Sequence, residues 1–278
     1  MLFAPTLHAA PSAQACPLNV LAARAIDATR QGEPVQVVFD LDDTLFLVRP
    51  RKQAIFRELA EAHAHDAQLH TALHRLADGA IPYDVKEALA TVGIDHPSMV
   101  NGLVASFFER FFDGGYTRHD APNEGAAAYV NHLYAHGVKV VYLSGRPVEM
   151  MDYTVETLVA HGFPVCPEQA PVVLKDTHES HLGDAEFKGI KAFEIAEAGR
   201  MLAVFDNEPA NLNAMLPAMR DGDFFLLDTD HSPNPPAPEM PVVVLKTFER
   251  AIARLEASLA ATPRFGAGGW TLNVEAGA

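Results

Sequence analysis

The chain has 278 residues, enough for one large domain or two modest ones, and its 49% apolar and 21% charged residues exclude wholesale disorder and collagen-like structure. Acids outnumber bases 36 to 21, a net charge of −15, which opposes both a general nucleic-acid binder and docking on anionic lipid. No stretch approaches the roughly 18 continuous apolar residues of a membrane span, and the two cysteines, Cys16 and Cys166, make neither a disulfide framework nor a zinc motif.

The N-terminal MLFAPTLHAAPSAQAC has the apolar start and alanine-rich end of a secretory leader. It lacks a basic residue ahead of the apolar part, and Pro5 and His8 interrupt that part. A reducing, cytoplasmic setting is the expectation.

Next comes VQVVFD (35–40), the first of several short, almost continuously apolar runs. The others are VKVVYL (138–143), APVVL (170–174), MLAVF (201–205), DFFLLD (223–228) and, as a candidate sixth, PVVVL (241–245). Such runs suit parallel strands covered on both faces. Helical patterns at 122–136, 147–161, 186–198 and 207–219 alternate with them. The fold class predicted is α/β, a Rossmann-like, doubly wound parallel sheet.

The rhythm stops between the first two runs. RKQAIFRELAEAHAHDAQLHTALHRLA (51–77) predicts one long helix, with Ile55, Leu59, Leu69, Leu73 and Leu76 at three-to-four spacing. PYDVKEALATVG and PSMVNGLVASFFERFF predict two more, and DGGYTRHDAPN (113–123) a polar return linker in which Gly114 and Gly115 can act as hinges. Residues 47–120 therefore look like a movable helical cap inserted into a core of residues 1–46 and 121–262. Phe107, Phe108, Phe111 and Phe112 are expected to pack the cap or line its contact with the core. The proline-rich HSPNPPAPEMP (231–241) is a loop, TFERAIARLEASLA (247–260) a closing helix, and 263–278 a tail without period.

The chemistry concentrates in VVFDLDDTLF, where a buried strand ends on Asp40, Asp42 and Asp43. Open α/β sheets bind ligands at this edge. Asp40 and Asp42 can face one crevice, and clustered carboxylates repel one another unless a cation sits among them. A hard divalent ion, most naturally Mg²⁺, is the simplest partner. Acidic turn and helix cap is the competing reading.

FDLDDTL resembles the first motif, DxDx[TV], of the haloacid dehalogenase-like phosphohydrolases. VVYLSGRP resembles the second, an apolar strand ending in a hydroxyl residue. The resemblance implies that Ser144 and the backbone N–H after it, that of Gly145, hold the phosphoryl oxygens; Ser144 can also cap a helix starting near Pro147. The third motif is a lysine at a helix start. Lys188 in AEFKGIKAFEIAE matches it best, with Lys191 and Lys175 as alternatives. MLAVFDNEP resembles the fourth, with Asp206 as its acid. Here the chain departs from the family, placing Asn207 and Glu208 where a second acid is usual; Asn207 could order a metal-bound water, and Glu208 could offer a carboxylate.

The resemblance covers about residues 34–228. It implies that Asp40 attacks phosphorus to form an aspartyl-phosphate and that Asp42 is general acid, then general base. It also implies that Lys188 screens the phosphoryl charge and that Asp40, Asp42 and Asp206 hold Mg²⁺. True dehalogenases lack an acid at the Asp42 position, so C–O–P cleavage is expected. A Mg²⁺-dependent phosphatase acting on a small phosphorylated metabolite is the leading expectation, since a sizeable cap excludes bulky chains. A phosphomutase or phosphotransferase, and a non-catalytic phosphate-binding module, are the competing ones. Arg49, Arg51 and Arg146 lie near the site edges and are either anion-gripping or plain surface residues. His70 and His74 suggest a solvated helix face, because no carboxylate partner pattern accompanies them.

Overall fold

A computed structural model describes residues 16–219 and 221–249. In chain order they form α1 (Pro17–Arg30), β1 (Val35–Phe39), β2 (Phe46–Leu47), α2 (Arg49–Ala62), α3 (Ala67–Asp78), α4 (Val85–Thr91), α5 (Pro97–Phe111), β3 (Ala121–Pro122), α6 (Ala126–Ala135) and β4 (Lys139–Pro147). There follow α7 (Met151–Ala160), β5 (Val172–Lys175), α8 (Asp184–Glu197), β6 (Arg200–Asp206), α9 (Pro209–Met215), β7 (Asp223–Leu227) and β8 (Val242–Leu245). The closing helix expected from 247 lies largely outside the described residues.

Six strands make one parallel sheet in the order β5-β4-β1-β6-β7-β8. The fold is α/β and Rossmann-like. Every residue of β1 is buried, which explains why its sequence is continuously apolar rather than alternating. Val35, Val37 and Phe39 face one core, with α1 and α6. Val38 faces the other, with residues of α8 and α9. Gln36 is the polar exception, and its amide donates to Ile195 O at 2.7 Å and Gly199 O at 2.9 Å. Phe39, Phe205 and Phe225 stack across three adjacent strands, with centroids 4.5 and 4.3 Å apart. This aromatic floor lies directly below the carboxylate end of the sheet.

Because β1 lies between β4 and β6, the chain leaves it in a crevice where strand order reverses, the usual ligand position in such sheets. Asp40 N donates to Phe205 O at 2.9 Å, continuing the β1–β6 ladder one step past the strand. The register sets Asp40 beside Asp206.

Residues 49–119 are helical and add no strand to the six-stranded sheet. They bury a cluster of their own, built on Ile55, Phe56, Leu59, Leu73, Leu89 and Phe107. The chain departs from the expected single helix over 51–77. It breaks at 63–66, where Asp66 accepts from Gln68 N and Leu69 N at 3.1 Å and caps a second helix, so α2 and α3 fold back on one another. The joints differ from flexible linkers as well. Phe46–Leu47 pairs antiparallel with Ala121–Pro122, and Asn123 N donates to Leu45 O at 2.8 Å. The return segment contains a 3₁₀ turn, Gly114–His119, with Gly114 packed against Tyr153 of α7.

α1 is an additional element with no counterpart among the expected ones. Pro17 opens it, and Leu18, Leu21, Ala22, Ala25 and Ile26 form its buried stripe. No helix among the described residues is long and apolar enough to cross a membrane.

Candidate active site

The end of β1 supplies Asp40, the second turn of α8 Lys188, and the end of β6 Asp206. All three side chains are buried. Lys188 Nζ donates to Asp40 Oδ1 at 2.6 Å and to Asp206 Oδ2 at 2.7 Å. Of the three candidate lysines it is the one brought to the carboxylates. Lys191 pairs with Glu179 and Glu194, and Lys175 with Asp184.

Burial favours a neutral Lys188, but Asp206 and Asp40 together outweigh it and hold the amine charged. Asp40 goes the other way. Burial, reinforced by Asp206 and Asp42, pushes it up to about 7 even with Lys188 in contact. The crevice thus holds too little positive charge to keep Asp40 fully ionised at neutral pH. Oxygen donors in such a setting fit a hard divalent cation. Asp206 is fixed on its other oxygen, where Oδ1 accepts from Glu208 N and Asn211 Nδ2, both at 2.9 Å.

Asp42 is placed differently from the expectation of two carboxylates sharing one cation. Its carboxylate is taken by two guanidinium groups: Arg51 Nη2 at 3.0 Å and Arg146 Nη2 at 2.5 Å. Both arginines also bond Asp120, with Arg146 Nη2 at 2.9 Å from Asp120 Oδ2. Burial pushes Asp42 up, but Arg146 and Arg51 outweigh it and hold the acid below the usual carboxylate range. Arg51 and Arg146 are therefore neither surface residues nor free anion grips, for both are almost wholly buried. Arg49 lies apart, bonding Gly79 O at 2.8 Å.

Asp43 turns the chain with φ 53°, in the left-handed region that Asp tolerates. Its Oδ1 accepts from Val48 N at 3.2 Å, while Thr44 Oγ1 donates to Asp40 Oδ2 at 3.2 Å.

Ser144 and Gly145 line the crevice within β4, which continues to Pro147. Ser144 does not cap the helix beyond: its Oγ accepts from Arg146 N at 3.3 Å, and Pro147 precedes the next turn. A Cβ at 145 would lie 2.6 Å from the Asp184 carboxylate, so any larger residue there would push that exposed side chain aside.

Asn207 and Glu208 each bond the loop after β7. Asn207 Nδ2 donates to Asp230 O at 2.7 Å, and Glu208 accepts from Ser232 N and Oγ at 2.6 Å. Asp120 and Asn211 carry no motif, and only the folded chain brings them to the site. His70 and His74 do have a carboxylate partner, supplied by the adjacent helix: Glu61 Oε1 is 3.1 Å from His74 Nε2 and 3.7 Å from His70 Nε2.

A cavity of about 490 Å³ opens above these groups, walled on one side by Asp40, Asp42, Ser144 and Lys188 and on the other by Tyr83 and the phenylalanines of α5. A hollow of about 570 Å³ near Pro34, Arg200 and Asp221 lies away from the carboxylates, at the opposite end of β6.

Residues 36–165 match the haloacid dehalogenase-like hydrolase family model. The fold is similar to that of a Clostridium difficile protein ascribed phosphatase activity, with TM-score 0.55 and 12% identity over 80% of this chain and 98% of that one. A subfamily IA hydrolase of the same superfamily from Geobacter sulfurreducens matches with TM-score 0.49 and 13% identity, covering 81% of this chain and 98% of that one. A Thermotoga maritima protein ascribed β-phosphoglucomutase activity matches with TM-score 0.49 and 15% identity, covering 80% and 98% respectively. No curated protein matches the chain in sequence. The stretch that matches this family model holds Asp40, Asp42, Ser144 and Gly145 together.

Proposed function

We propose that the protein is a Mg²⁺-dependent phosphatase that hydrolyses a small phosphate monoester through an aspartyl-phosphate on Asp40. The observation that carries this reading is the convergence of Asp40, Lys188 and Asp206, with Lys188 Nζ within 2.7 Å of both carboxylates. A binding module has no need of a buried carboxylate whose ionisation depends on added positive charge. A nucleophile that an incoming cation must hold in its ionised, attacking form does.

Asp40 and Asp206 would hold Mg²⁺, which supplies charge neutralisation for the phosphoryl oxygens. Lys188, the Ser144 hydroxyl and the Gly145 N–H add to that neutralisation from the protein side. An Asp40 oxygen attacks phosphorus, and the ester P–O bond breaks. Asp42 gives its proton to the departing alkoxide. In the second half Asp42 takes a proton from water, whose oxygen displaces Asp40 and releases inorganic phosphate.

Asp42 rests ionised between Arg51 and Arg146, the form suited to that second half. A bound phosphoryl group adds negative charge beside Asp42 and Arg146, which line the same cavity, and this raises the affinity of Asp42 for the proton it needs in the first half.

The test is free phosphate released from a panel of phosphorylated metabolites, with and without Mg²⁺. Release confined to the Mg²⁺ arm is expected. No release from any ester, or transfer to a second alcohol without release, overturns the reading.

A further inference from the structure

We infer that the outer half of the site cavity is a subsite for an uncharged aromatic or bulky apolar leaving group, so that the preferred esters are phosphates of apolar alcohols rather than of polyols or charged alcohols. This rests on the phosphatase reading for the chemistry but not for the binding preference.

The cavity has two unlike halves. Its floor is the polar constellation at the strand ends. Its roof is largely apolar: Phe107, Phe108, Phe111 and Phe112 of α5 and its C-terminal cap, with Val85 and with Tyr83, whose ring carries Lys52 Nζ at 5.2 Å, beside them. Phe107 is buried in the core of the helical segment and Phe111 lies under the Arg51 guanidinium at 4.7 Å, so these two are already used by the fold. Phe108 and Phe112 are not. They stack on each other at 5.9 Å and remain 42% and 46% exposed, as does Tyr83 at 41%. Large rings left open to solvent are ordinary when scattered. Three lining one cavity, opposite a phosphoryl-transfer constellation, present a surface that an apolar group would cover.

The charges disfavour the other substrate classes, because binding them would mean opening an existing ion pair. A sugar diphosphate or a phosphorylated acid needs a spare cation for its second anionic group. Among the described residues of the cavity every cation is paired: Lys188 with Asp40 and Asp206, Arg146 with Asp42 and Asp120, Lys52 with Asp230, and Lys175 with Asp184. A cationic alcohol needs a spare carboxylate, but Glu208 is occupied by Ser232 and Asp184 by Lys175. A polyol needs free hydrogen-bonding side chains beyond the phosphate; of the amides lining the cavity, Asn207 already donates to Asp230 O and Asn211 to Asp206, and the roof offers phenylalanine. Covering a ring-sized apolar surface here corresponds to about tenfold or more in affinity.

Calorimetry on the full chain with Mg²⁺ tests this with non-hydrolysable phosphonates: 3-phenylpropyl, 2,3-dihydroxypropyl, 2-carboxyethyl and trimethylammonioethyl. The phenylpropyl compound should bind about tenfold or more tighter than each of the others. Phe108→Ala and Phe112→Ala should each shrink that preference at least threefold, with Phe108→Leu in between. Equal or tighter binding of a polyol, anionic or cationic phosphonate overturns the inference, as does binding of none. Acetyl phosphate turnover, measured in parallel, reports on the chemistry separately. Acetyl phosphate inert alongside a phenylpropyl preference removes the phosphatase reading and leaves the subsite. Acetyl phosphate hydrolysed without that preference does the reverse.

Discussion

Arg51 of α2 reaches out of the helical segment to Asp42 in the loop after β1, with Nη2 3.0 Å from Oδ1. The arginine is fully buried, and its second partner, Asp120, stands where the chain returns from that segment. One guanidinium thus ties together the segment's entrance, its exit and the proposed acid–base residue. Removing one member of such a buried network strands the opposing charge. Arg51→Met is expected to lower stability by about 3–5 kcal/mol in urea unfolding. In a double-mutant cycle with Asp120→Asn the two losses should fall short of additivity by more than about 1 kcal/mol. Additive losses would show that the two residues act independently.

Asp40→Asn should reduce phosphate release by roughly 10³-fold or more and leave no acid-stable trace of a phosphorylated protein after quenching. The fold should survive. Burial already disfavours the charged carboxylate, and Lys188 keeps Asp206 as a partner. A folded Asp40→Asn protein with near-normal turnover would remove the covalent route.

Asp42→Asn and Lys188→Ala should separate by leaving group. Without a proton donor, alkyl phosphates should suffer far more than aryl phosphates, whose alcohols depart as anions. Lys188→Ala should slow both kinds alike, because it screens charge on the transferred group rather than on the departing one. Equal loss across a leaving-group series for Asp42→Asn would contradict its role as the acid.

The legible parts of the site were those in which local chain geometry and chemistry coincide. Asp40, Ser144 and Asp206 each follow an apolar run that can only be a buried strand, so their place at the sheet edge is readable from the chain. Lys188 is harder. Lys175 and Lys191 have comparable surroundings in sequence, and only the packing of α8 brings one of the three between Asp40 and Asp206. Asp120 and Asn211 were not legible at all. A lone acid before a two-residue strand and an amide in a short helix carry no pattern until tertiary contacts assemble around them. The break between α2 and α3 was masked for a different reason: the apolar period of 51–77 runs through it, while the local competition won by the Asp66 side chain has no periodicity.

Asp43 predicts a pH effect on stability. Burial pushes its carboxyl up to about 7 from the ordinary 3.8, despite Lys52 and the Val48 N–H. The folded state therefore binds this proton more tightly than the unfolded chain. Its contribution is fully present below about 3.8 and is lost as pH rises through about 7. Asn keeps the left-handed turn and an acceptor for Val48 N without the charge. In EDTA, the melting temperature of the unaltered protein should fall more between pH 5 and pH 8 than that of Asp43→Asn. Part of the slope will persist in the variant, because Asp40 is shifted the same way. Parallel curves would mean that Asp43 is not the group responsible.

Gly114 distinguishes a hinge from a packing contact. Its position in DGGYTRHD invites the view that it absorbs backbone motion, but a Cβ there would meet Tyr153 Cδ2 at 2.3 Å and Cβ at 2.9 Å. Those atoms include the root of the tyrosine side chain, so a rotamer change alone does not clear them. Nearby, Thr157 Oγ1 donates to Thr117 Oγ1 at 2.8 Å, holding the same 3₁₀ turn against α7. Gly114→Ala should therefore destabilise by about 1–3 kcal/mol, as overpacking does elsewhere. Tyr153 is 46% exposed, so Tyr153→Ala is a tolerable background in which to repeat the measurement. Most of the Gly114→Ala penalty should vanish there. A penalty that persists without Tyr153, with turnover changed in both backgrounds, would point to backbone freedom as the reason for glycine and restore the hinge.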